Sequence, residues 1–266
     1  MKRVLVIGAA GMAGHVIVDF LRNQEDIFVE TVARNAAVVK PNYAVDLRNL
    51  KELDSVLENN YDFVVNASGL LNKYAEDNPD EAILINSYLP HFLAKKGNSE
   101  GFRLIHISTD CVFSGNKGAY KVSDFKDGIG FYAQTKALGE VDYFPHLTLR
   151  TSIIGPELKS DGIGLFGWFM KQSGQIDGYT EAIWSGITTI TLAQAIIRAI
   201  HSDIAGLYQL TNNQPINKFE LLELFKEVFD KDILINSVTG KRVDKSLINE
   251  RTDFDFQVPD YRTMLL

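Results

Sequence analysis

The sequence has one cysteine, no excess of positive charge and no long apolar run, and each shortage excludes a class of protein. Cys111 alone cannot build a disulfide framework, which favours a reducing, cytoplasmic location. The single cysteine and five scattered histidines give no metal-ligand spacing, so no metal is expected. No apolar stretch approaches the ~20 residues that span a bilayer, so no membrane partner is expected.

Charge and composition narrow the choice further. The net charge of −7 disfavours nucleic acid as a partner, although a local basic groove could still hold an anionic ligand. With 45% apolar and 23% charged residues, the 266-residue chain has the composition of a folded globular protein. Lys2, Arg3 and the apolar run behind them imitate a secretory signal, but glycines at 8, 11 and 14 interrupt that run. We therefore expect no cleaved leader.

The first 150 residues alternate short apolar runs with stretches of helical spacing. Strands are predicted at 4–7, 27–33, 43–45, 63–65, 104–107 and 147–150. Helices are predicted at 12–23, around 50–57, at 79–96 with a kink at Pro90, and at 130–143. This alternation is typical of the α/β class, and specifically of a Rossmann-type doubly wound parallel sheet with helices on both faces.

The remainder of the chain is less regular. Residues 153–182 are rich in glycine and aromatic residues, and the tail beyond 233 has weak periodicity. Capping boxes for two further helices are predicted from Thr191 with Gln194 and from Asn217 with Glu220. We expect residues 153–182 and 211–266 to form a small C-terminal α/β lobe over the carboxyl edge of the sheet, where a substrate would bind.

A glycine-rich turn joins the first predicted strand to the first predicted helix. Gly8 to Gly14 has the spacing G-x-x-G-x-x-G. A dinucleotide site needs such glycines for a tight turn, for close approach of the backbone to a diphosphate, and for close contact between helix and strand. Arg34 follows the second strand, where NAD-preferring proteins carry an acid, which favours NADP(H) over NAD(H). A solvated surface arginine is the alternative interpretation of Arg34.

Three polar side chains are predicted to converge beside that cofactor. Tyr132 and Lys136 are spaced i, i+4, so they lie on one face of the helix after the fifth strand. Thr109 ends that strand, where doubly wound folds place their ligands. A hydroxyl, a phenol and an ammonium would then surround one point. His106, inside the same strand, and Asn86, in the kinked helix, are expected to be structural.

These segments resemble the extended short-chain dehydrogenases/reductases, and among them the dTDP-4-dehydrorhamnose reductase group. The matching stretches are 8–14, 65–67, 85–86, 107–115 (ISTDCVFSG), 131–140 (FYAQTKALGE) and 149–152 (LRTS). The resemblance is strong over residues 1–152 and thinner beyond. It implies an NADPH-dependent reductase of a nucleotide-linked 4-keto-6-deoxysugar, in deoxysugar and cell-surface polysaccharide biosynthesis. The protein is expected to be a monomer or a homodimer.

The resemblance also implies roles for individual residues. The catalytic residues map onto Thr109, Tyr132 and Lys136, with Lys136 bringing the pKa of the proton donor Tyr132 toward neutrality. Cofactor contacts are expected from Tyr132 and Lys136 and also from Gly8, Ala10, Gly11, Met12, Arg34, Asp46, Leu47, Asn66, Ala67 and Ser68. Substrate contacts are expected from Asp110, Cys111, Val112, Phe113, Ile153 and Trp184. Some of the basic residues Lys159, Lys171, Lys241, Arg242 and Arg262 could hold a substrate diphosphate.

The pattern of predicted elements divides the chain. Residues 1–152 and 183–210 are the expected NADP(H)-binding Rossmann domain, and 153–182 and 211–266 are the expected substrate-binding lobe. Cys111 stands where the group has tyrosine, Ile153 stands where an aromatic residue often packs on substrate, and Ala133 replaces a glycine. The first two differences lie on the substrate side, so the sugar and the nucleotide remain open.

Two other functions remain open on the same fold. One is an epimerase of nucleotide sugars; a dehydratase is disfavoured because Thr109 is not followed by the expected Asp-Glu pair. The other is a non-catalytic, NADP-binding regulatory subunit that resembles the beta subunit of methionine adenosyltransferase. The presence of Thr109, Tyr132 and Lys136 together favours an enzyme.

Overall fold

The computed structural model describes residues 1–34, 39–158 and 162–266. Its main sheet contains the strands β1 (Lys2–Ile7), β2 (Ile27–Ala33), β3 (Tyr43–Ala44), β4 (Phe63–Asn66), β5 (Arg103–Thr109), β6 (Leu147–Thr151) and β11 (Gly206–Gln209). These seven strands lie in the order β3-β2-β1-β4-β5-β6-β11, and every neighbouring pair is parallel. The predicted fold class is confirmed, and the six strands predicted from the sequence are all present.

Helices bury both faces of this sheet. The covering helices are α1 (Met12–Arg22), α2 (Leu50–Leu57), α5 (Leu89–Glu100) and α8 (Thr189–Ile200). Along β1, Val4 and Val6 face the cluster formed with α1 and α8, whereas Leu5 and Ile7 face the cluster formed with α2 and α5. Because neither face meets water, the central strands appear in the sequence as continuous apolar runs rather than alternating ones.

The long helix predicted at 79–96 is interrupted. It consists of α4 (Pro79–Ala82), a π-helical turn at Ile83–Tyr88, and then α5. Pro90 has no N–H to donate, so the regular ladder cannot continue through its position, and the wider turn immediately precedes it. A short helix, α3 (Asn72–Asp77), was not predicted.

The helix that carries Tyr132 is shorter than predicted. α6 (Phe131–Leu138) stops at Gly139 instead of continuing to Tyr143. A Cβ at position 139 would lie 1.9 Å from the carbonyl oxygen of Asn86, so only glycine allows the two segments to approach this closely. Glu140, directly after it, is buried and pairs with Arg150 of β6.

The irregular part of the chain forms small sheets and helices. Its elements are β7 (Ile153–Ile154), α7 (Leu165–Lys171), β8 (Gly174–Tyr179), β9 (Ala182–Trp184), β10 (Ile187–Thr188), β12 (Ile216–Asn217), α9 (Lys218–Val228), β13 (Ile233–Val238), β14 (Val243–Asp244) and α10 (Tyr261–Leu265). β9 lies between β12 and β14, β8 pairs with β13, and β7 pairs with β10. In the described part of the chain, every helix is too short or too polar to cross a membrane.

The two predicted capping boxes have different outcomes. Asn217 and Glu220 form the predicted box at the start of α9. The box predicted from Thr191 and Gln194 is wrong, because α8 begins earlier and Thr188 is its N-cap. The Thr188 side chain accepts a hydrogen bond from the backbone N–H of Thr191, so Thr191 is inside the helix rather than at its cap.

Candidate active site

The glycine turn after β1 leaves no room for a side chain at Gly8 or at Gly14. Gly8 has φ +84°, and a Cβ there would lie 2.8 Å from the backbone nitrogen of Ser68. A Cβ at Gly14 would lie 2.1 Å from the carbonyl oxygen of Gly8, so α1 is in direct backbone contact with the residue that follows β1. No side chain caps the N-terminus of α1. Its first N–H groups and the positive end of its dipole are therefore available to an anion.

A cleft of about 410 Å³ opens beside this turn. Most of the predicted cofactor residues line it, namely Gly8, Ala10, Gly11, Met12, Arg34, Asp46, Leu47, Ala67 and Ser68. Arg48, Glu81 and Glu157 also line it and were not predicted. The cleft follows the ends of β1, β2 and β4, which is where a doubly wound sheet places a dinucleotide.

Two arginines lie at the far end of the cleft and differ in their partners. Arg48 pairs with Asp46 at 2.6 Å and with Glu81 at 2.9 Å. The hydrogen bonds from Arg48 lower the pKa of Asp46 to about 2. Arg34 is exposed and makes no ion pair with any described residue. The charge of Arg34 is therefore the one that remains available to a phosphate.

Asn66 lies beneath the cleft rather than in its lining. It is fully buried, and its Oδ1 accepts hydrogen bonds from the backbone N–H and the hydroxyl of Ser68, at 3.1 and 2.6 Å. Its Nδ2 lies 3.2 Å from Nδ1 of His106. Asn66 thus shapes the loop of Ala67 and Ser68 from below, and its predicted contact with a cofactor stays a prediction.

Thr109 and Tyr132 lie side by side where β5 ends. Thr109 is buried and caps a 3₁₀ turn at Asp110–Val112, accepting from the backbone N–H of Cys111 at 3.1 Å. Its hydroxyl donates to Oδ1 of Asp110, also at 3.1 Å. The Thr109 side chain acts on the pKa of the Tyr132 phenol, lowering it, but burial outweighs this effect and raises that pKa above its ordinary value. Tyr132 is therefore a neutral phenol at neutral pH.

Lys136 points away from this pair. Its Nζ donates to the carbonyl oxygen of Ile107 at 2.7 Å and lies 3.5 Å from Nε2 of His106. Lys136 does not contribute to the pKa of Tyr132 in this structure, so the predicted shift of that pKa toward neutrality is not found. Burial instead lowers the pKa of Lys136 itself to about 8, against the opposing charge of Glu140.

The hydrogen bonds around His106 define its tautomer. Because the backbone N–H of Ser68 can only donate, Oδ1 of Asn66 must be the acceptor, and Nδ2 of Asn66 must donate to Nδ1 of His106. Burial and the nearby Lys136 hold the pKa of His106 well below its ordinary value, so the ring is neutral. Its single proton is then on Nε2 and faces Lys136, an arrangement that suits a neutral amine better than an ammonium.

The predicted substrate residues differ in their burial and in the elements that carry them. Asp110 and Cys111 lie in the turn after Thr109, and burial raises the pKa of the Cys111 thiol to about 11. Val112 and Phe113 are fully buried and pack in a small apolar cluster, so they support the turn rather than face a ligand. Ile153 is half-buried in β7, and Trp184 is buried at the end of β9.

The predicted role of the basic residues Lys159, Lys171, Lys241, Arg242 and Arg262 stays a prediction. Lys241 and Arg242 are exposed, Arg262 pairs with Glu227, and Lys159 lies outside the described residues. Lys218 and Lys245 instead act on the turn after Thr109, where their charges lower the pKa of Asp110 against the stronger effect of its burial. The capping box places Lys218 at the start of α9, but no sequence signal indicates that α9 lies near β5.

Comparison with known proteins identifies the family. The model of the RmlD substrate binding domain family matches residues 1–243. The chain is 26% identical over 246 residues to the spore coat polysaccharide biosynthesis protein SpsK of Bacillus subtilis, covering 90% of this chain and 83% of that protein. It is 24% identical over 247 residues to methionine adenosyltransferase 2 subunit beta of Bos taurus, covering 86% of this chain and 72% of that protein.

A solved structure has the same fold across the whole chain. It is the dTDP-4-dehydrorhamnose reductase of Bacillus anthracis in complex with NADP, with a TM-score of 0.85 and 20% identity, covering 100% of this chain and 97% of that one. At that identity the likeness shows the fold. Since the family match spans most of the sequence, this chain belongs to the RmlD substrate binding domain family of extended short-chain dehydrogenases/reductases, a family of oxidoreductases.

Proposed function

We propose that the protein is an NADPH-dependent reductase of a nucleotide-linked 4-keto-6-deoxysugar. The observation that carries this proposal is that Thr109, at the carboxyl end of β5, adjoins Tyr132 of α6, the helix that also bears Lys136. The similarity to a dTDP-4-dehydrorhamnose reductase and to a polysaccharide biosynthesis protein supports this substrate class.

The residues of the cleft fit NADP(H). The glycine turn and the uncapped start of α1 suit a diphosphate, and Arg34 suits a 2′-phosphate at the end of β2. An acid in place of Arg34 would instead suit the hydroxyl of NAD(H), so we propose that NADP(H) is preferred. The bound cofactor would supply the hydride that reduces the ketone.

Tyr132 would be the proton donor. Its phenol is protonated at neutral pH, because its ordinary pKa is about 10 and burial raises that pKa further, so it can donate to the oxygen that forms when the ketone is reduced. Thr109 would orient the same oxygen by a hydrogen bond. Lys136 would leave the carbonyl of Ile107 to approach Tyr132, and its pKa of about 8 makes its proton easy to transfer at neutral pH.

We also propose a division of labour along the chain. Residues 1–152 and 183–210 would bind NADP(H), and 153–182 and 211–266 would bind the substrate. In support, β11 pairs with β6 and α8 packs on α1. Among the described strands, two pairings cross this division: β9 pairs with β12 and β14, and β7 pairs with β10. The first pairing favours placing Ile183 and Trp184 with the substrate lobe.

Cofactor oxidation tests the proposal. Loss of NADPH absorbance would be followed with 4-keto-6-deoxysugars linked to dTDP, UDP, GDP and CDP. With a turned-over substrate, Tyr132→Phe keeps the ring and removes the proton donor, so kcat should fall by about 100-fold or more. NADPH affinity, measured by its fluorescence, should change little. A kcat within a few-fold of the parent value would show that another group supplies the proton.

The similarity to methionine adenosyltransferase 2 subunit beta keeps a regulatory role as the second candidate. A regulator of that kind would bind NADPH without consuming it in the presence of any ketosugar. An epimerase would interconvert sugar nucleotides with no net change in NADPH. The same absorbance assay, combined with chromatography of the sugar nucleotides, separates all three functions.

A further inference from the structure

Two lysines from distant parts of the chain follow strands of the small sheet that packs against the loop after Thr109. Lys218 is the first residue of α9, directly after β12, and Lys245 directly follows β14. Both strands pair with β9, which brings the two lysines to the same small sheet. The Nζ of Lys218 lies 5.0 Å from the centre of the Trp184 ring, and the backbone N–H of Lys245 donates to the carbonyl of Ile183 at 3.3 Å.

The stem of Lys245 is held against the active-site loop. A Cβ at Gly115 would lie 3.1 Å from Cγ of Lys245 and 2.5 Å from Val243, so this loop packs directly on β14 and the residue after it. The Lys245 side chain also lowers the pKa of the Cys111 thiol, two residues beyond Thr109, although burial raises that pKa overall. The Lys245 side chain therefore lies beside the turn that follows Thr109.

The charges around these lysines do not balance. Within the described residues, no carboxylate forms an ion pair with Lys218 or Lys245. Asp110 is the acid whose pKa both lysines lower, so two cationic side chains act on one carboxyl group. Burial also lowers the pKa of Lys218 to about 8, which shows that its ammonium is poorly hydrated. A poorly hydrated ammonium without a carboxylate partner is unfavourable, and in a cleft it favours a ligand of opposite sign.

We propose that Lys218 and Lys245 form an anion-binding subsite that receives an oxyanion of the substrate while its ketone lies at Thr109. This subsite rests on the proposed function, because it assumes a substrate that reacts between Thr109 and Tyr132. Two groups have the required chemistry: the diphosphate of a sugar nucleotide and a carboxylate on the sugar itself. Both present paired anionic oxygens to an ammonium.

Trp184 gives a direct spectroscopic readout of this subsite. The chain has two tryptophans, and Trp168→Phe leaves Trp184 as the only one. In that background, with NADP⁺ present, Trp184 fluorescence would be titrated with dTDP and UDP for the diphosphate arm. UDP-glucuronate against UDP-glucose forms the carboxylate arm. The charge-removing variants are Lys218→Met and Lys245→Met, and Lys226→Met on the same helix is the matched control.

The proposal expects a saturable change of Trp184 fluorescence in one of the two arms. Each of Lys218→Met and Lys245→Met should weaken that binding about tenfold, and Lys226→Met should leave it unchanged. A response to dTDP or UDP identifies the diphosphate, whereas tighter binding of UDP-glucuronate than of UDP-glucose, lost in the lysine variants, identifies a carboxylate. If a methionine variant does not fold, Lys218→Arg keeps the charge and should retain binding within a few-fold.

The proposal is overturned if no ligand in either arm affects Trp184, or if the lysine variants bind as tightly as the parent protein. Such a result would leave the reductase proposal intact, since that proposal is tested by NADPH oxidation. Conversely, a failure to reduce any ketosugar would not alter the fluorescence titration. The two failures are therefore distinguishable.

Discussion

The cofactor cleft and the substrate side of this protein are built in different ways. Most of the cleft lining comes from short loops at the ends of β1, β2 and β4, each next to the strand that positions it, and Arg48, Glu81 and Glu157 join it from more distant segments. The proposed substrate side combines the turn after β5 with Trp184, Lys218 and Lys245, which come from three separate segments of the lobe. A local motif can therefore specify most of the cleft, whereas the proposed substrate side depends on long-range pairing.

The strongest test of this comparison is a change at the glycine turn. In Gly14→Ala the new Cβ would lie 2.1 Å from the carbonyl oxygen of Gly8, a backbone atom that cannot move aside. We expect a loss of about 3 kcal/mol in the free energy of unfolding, together with loss of NADPH binding. Urea denaturation would measure the first and cofactor fluorescence the second.

Gly11→Ala is the matched control for that variant. Its Cβ would lie 3.3 Å from the same oxygen, so a small adjustment suffices, and we expect a cost of about 1 kcal/mol or less. Equal unfolding free energies for the two variants would show that contact between α1 and β1 is not what requires glycine.

The next test asks whether the cleft alone selects the cofactor. Arg34 lines the cleft and has no described ion-pair partner, so Arg34→Asp should weaken NADPH binding about tenfold and strengthen NADH binding. An effect nearer a hundredfold is not expected, because Arg34 is exposed to solvent. Dissociation constants for both cofactors would be compared with those of Arg22→Asp, at the far end of α1. Equal affinities for NADPH and NADH in the parent protein would contradict this role.

The sequence predicts the cofactor cleft more completely than it predicts the proposed substrate side. The glycine spacing of residues 8–14, between an apolar run and a stretch of helical spacing, predicts a strand, a turn and a helix. The sheet and most of the cleft lining could therefore be predicted. Arg48 was missed because its role depends on ion pairs with Asp46 and with the distant Glu81. Lys218 and Lys245 were missed because two-residue strands such as β12 and β14 have no periodicity to detect.

The orientation of Lys136 is a third case, in which the residue was identified and its surroundings were not. The spacing of Tyr132 and Lys136 placed both on α6 correctly. The hydrogen bonds that direct Lys136 to His106 and Ile107 arise from the neighbouring strand β5, and His106 in turn contacts β4 through Asn66. Spacing within one helix cannot predict such contacts.

We expect Lys136→Met to raise the free energy of unfolding and to abolish turnover. Burial lowers the folded-state pKa of Lys136 to about 8 from an ordinary 10.5, so folding is penalised whenever this lysine carries its proton in the unfolded chain. The penalty is complete below about pH 8 and disappears as the pH rises toward 10.5. At pH 7 the variant should be more stable by about 1–2 kcal/mol, after allowance for the lost bond to Ile107.

The measurement is the free energy of unfolding from pH 6 to 10.5 in parent and variant. Lys218 titrates in the same range, but it is present in both proteins and cancels in the difference. Lys226→Met serves as the control for loss of a surface lysine. A stability difference that did not shrink with rising pH would mean that the burial of charge is not its cause.

The smallest expected effect tests whether α9 can be destabilised without a change in the cofactor cleft. Asn217 caps α9 by accepting a hydrogen bond from the backbone N–H of Glu220 at 2.8 Å. Asn217→Ala should cost about 1 kcal/mol, and Asn217→Ser, which can still cap, should cost less. Because Lys218 is the first residue of the helix, fraying of this turn should weaken the oxyanion response of Trp184 by a few-fold. NADPH affinity should stay unchanged, since the cleft shares no residue with α9. If NADPH affinity fell with the oxyanion response, the two regions would be coupled, and the separation of a locally encoded cleft from a long-range substrate side would be wrong.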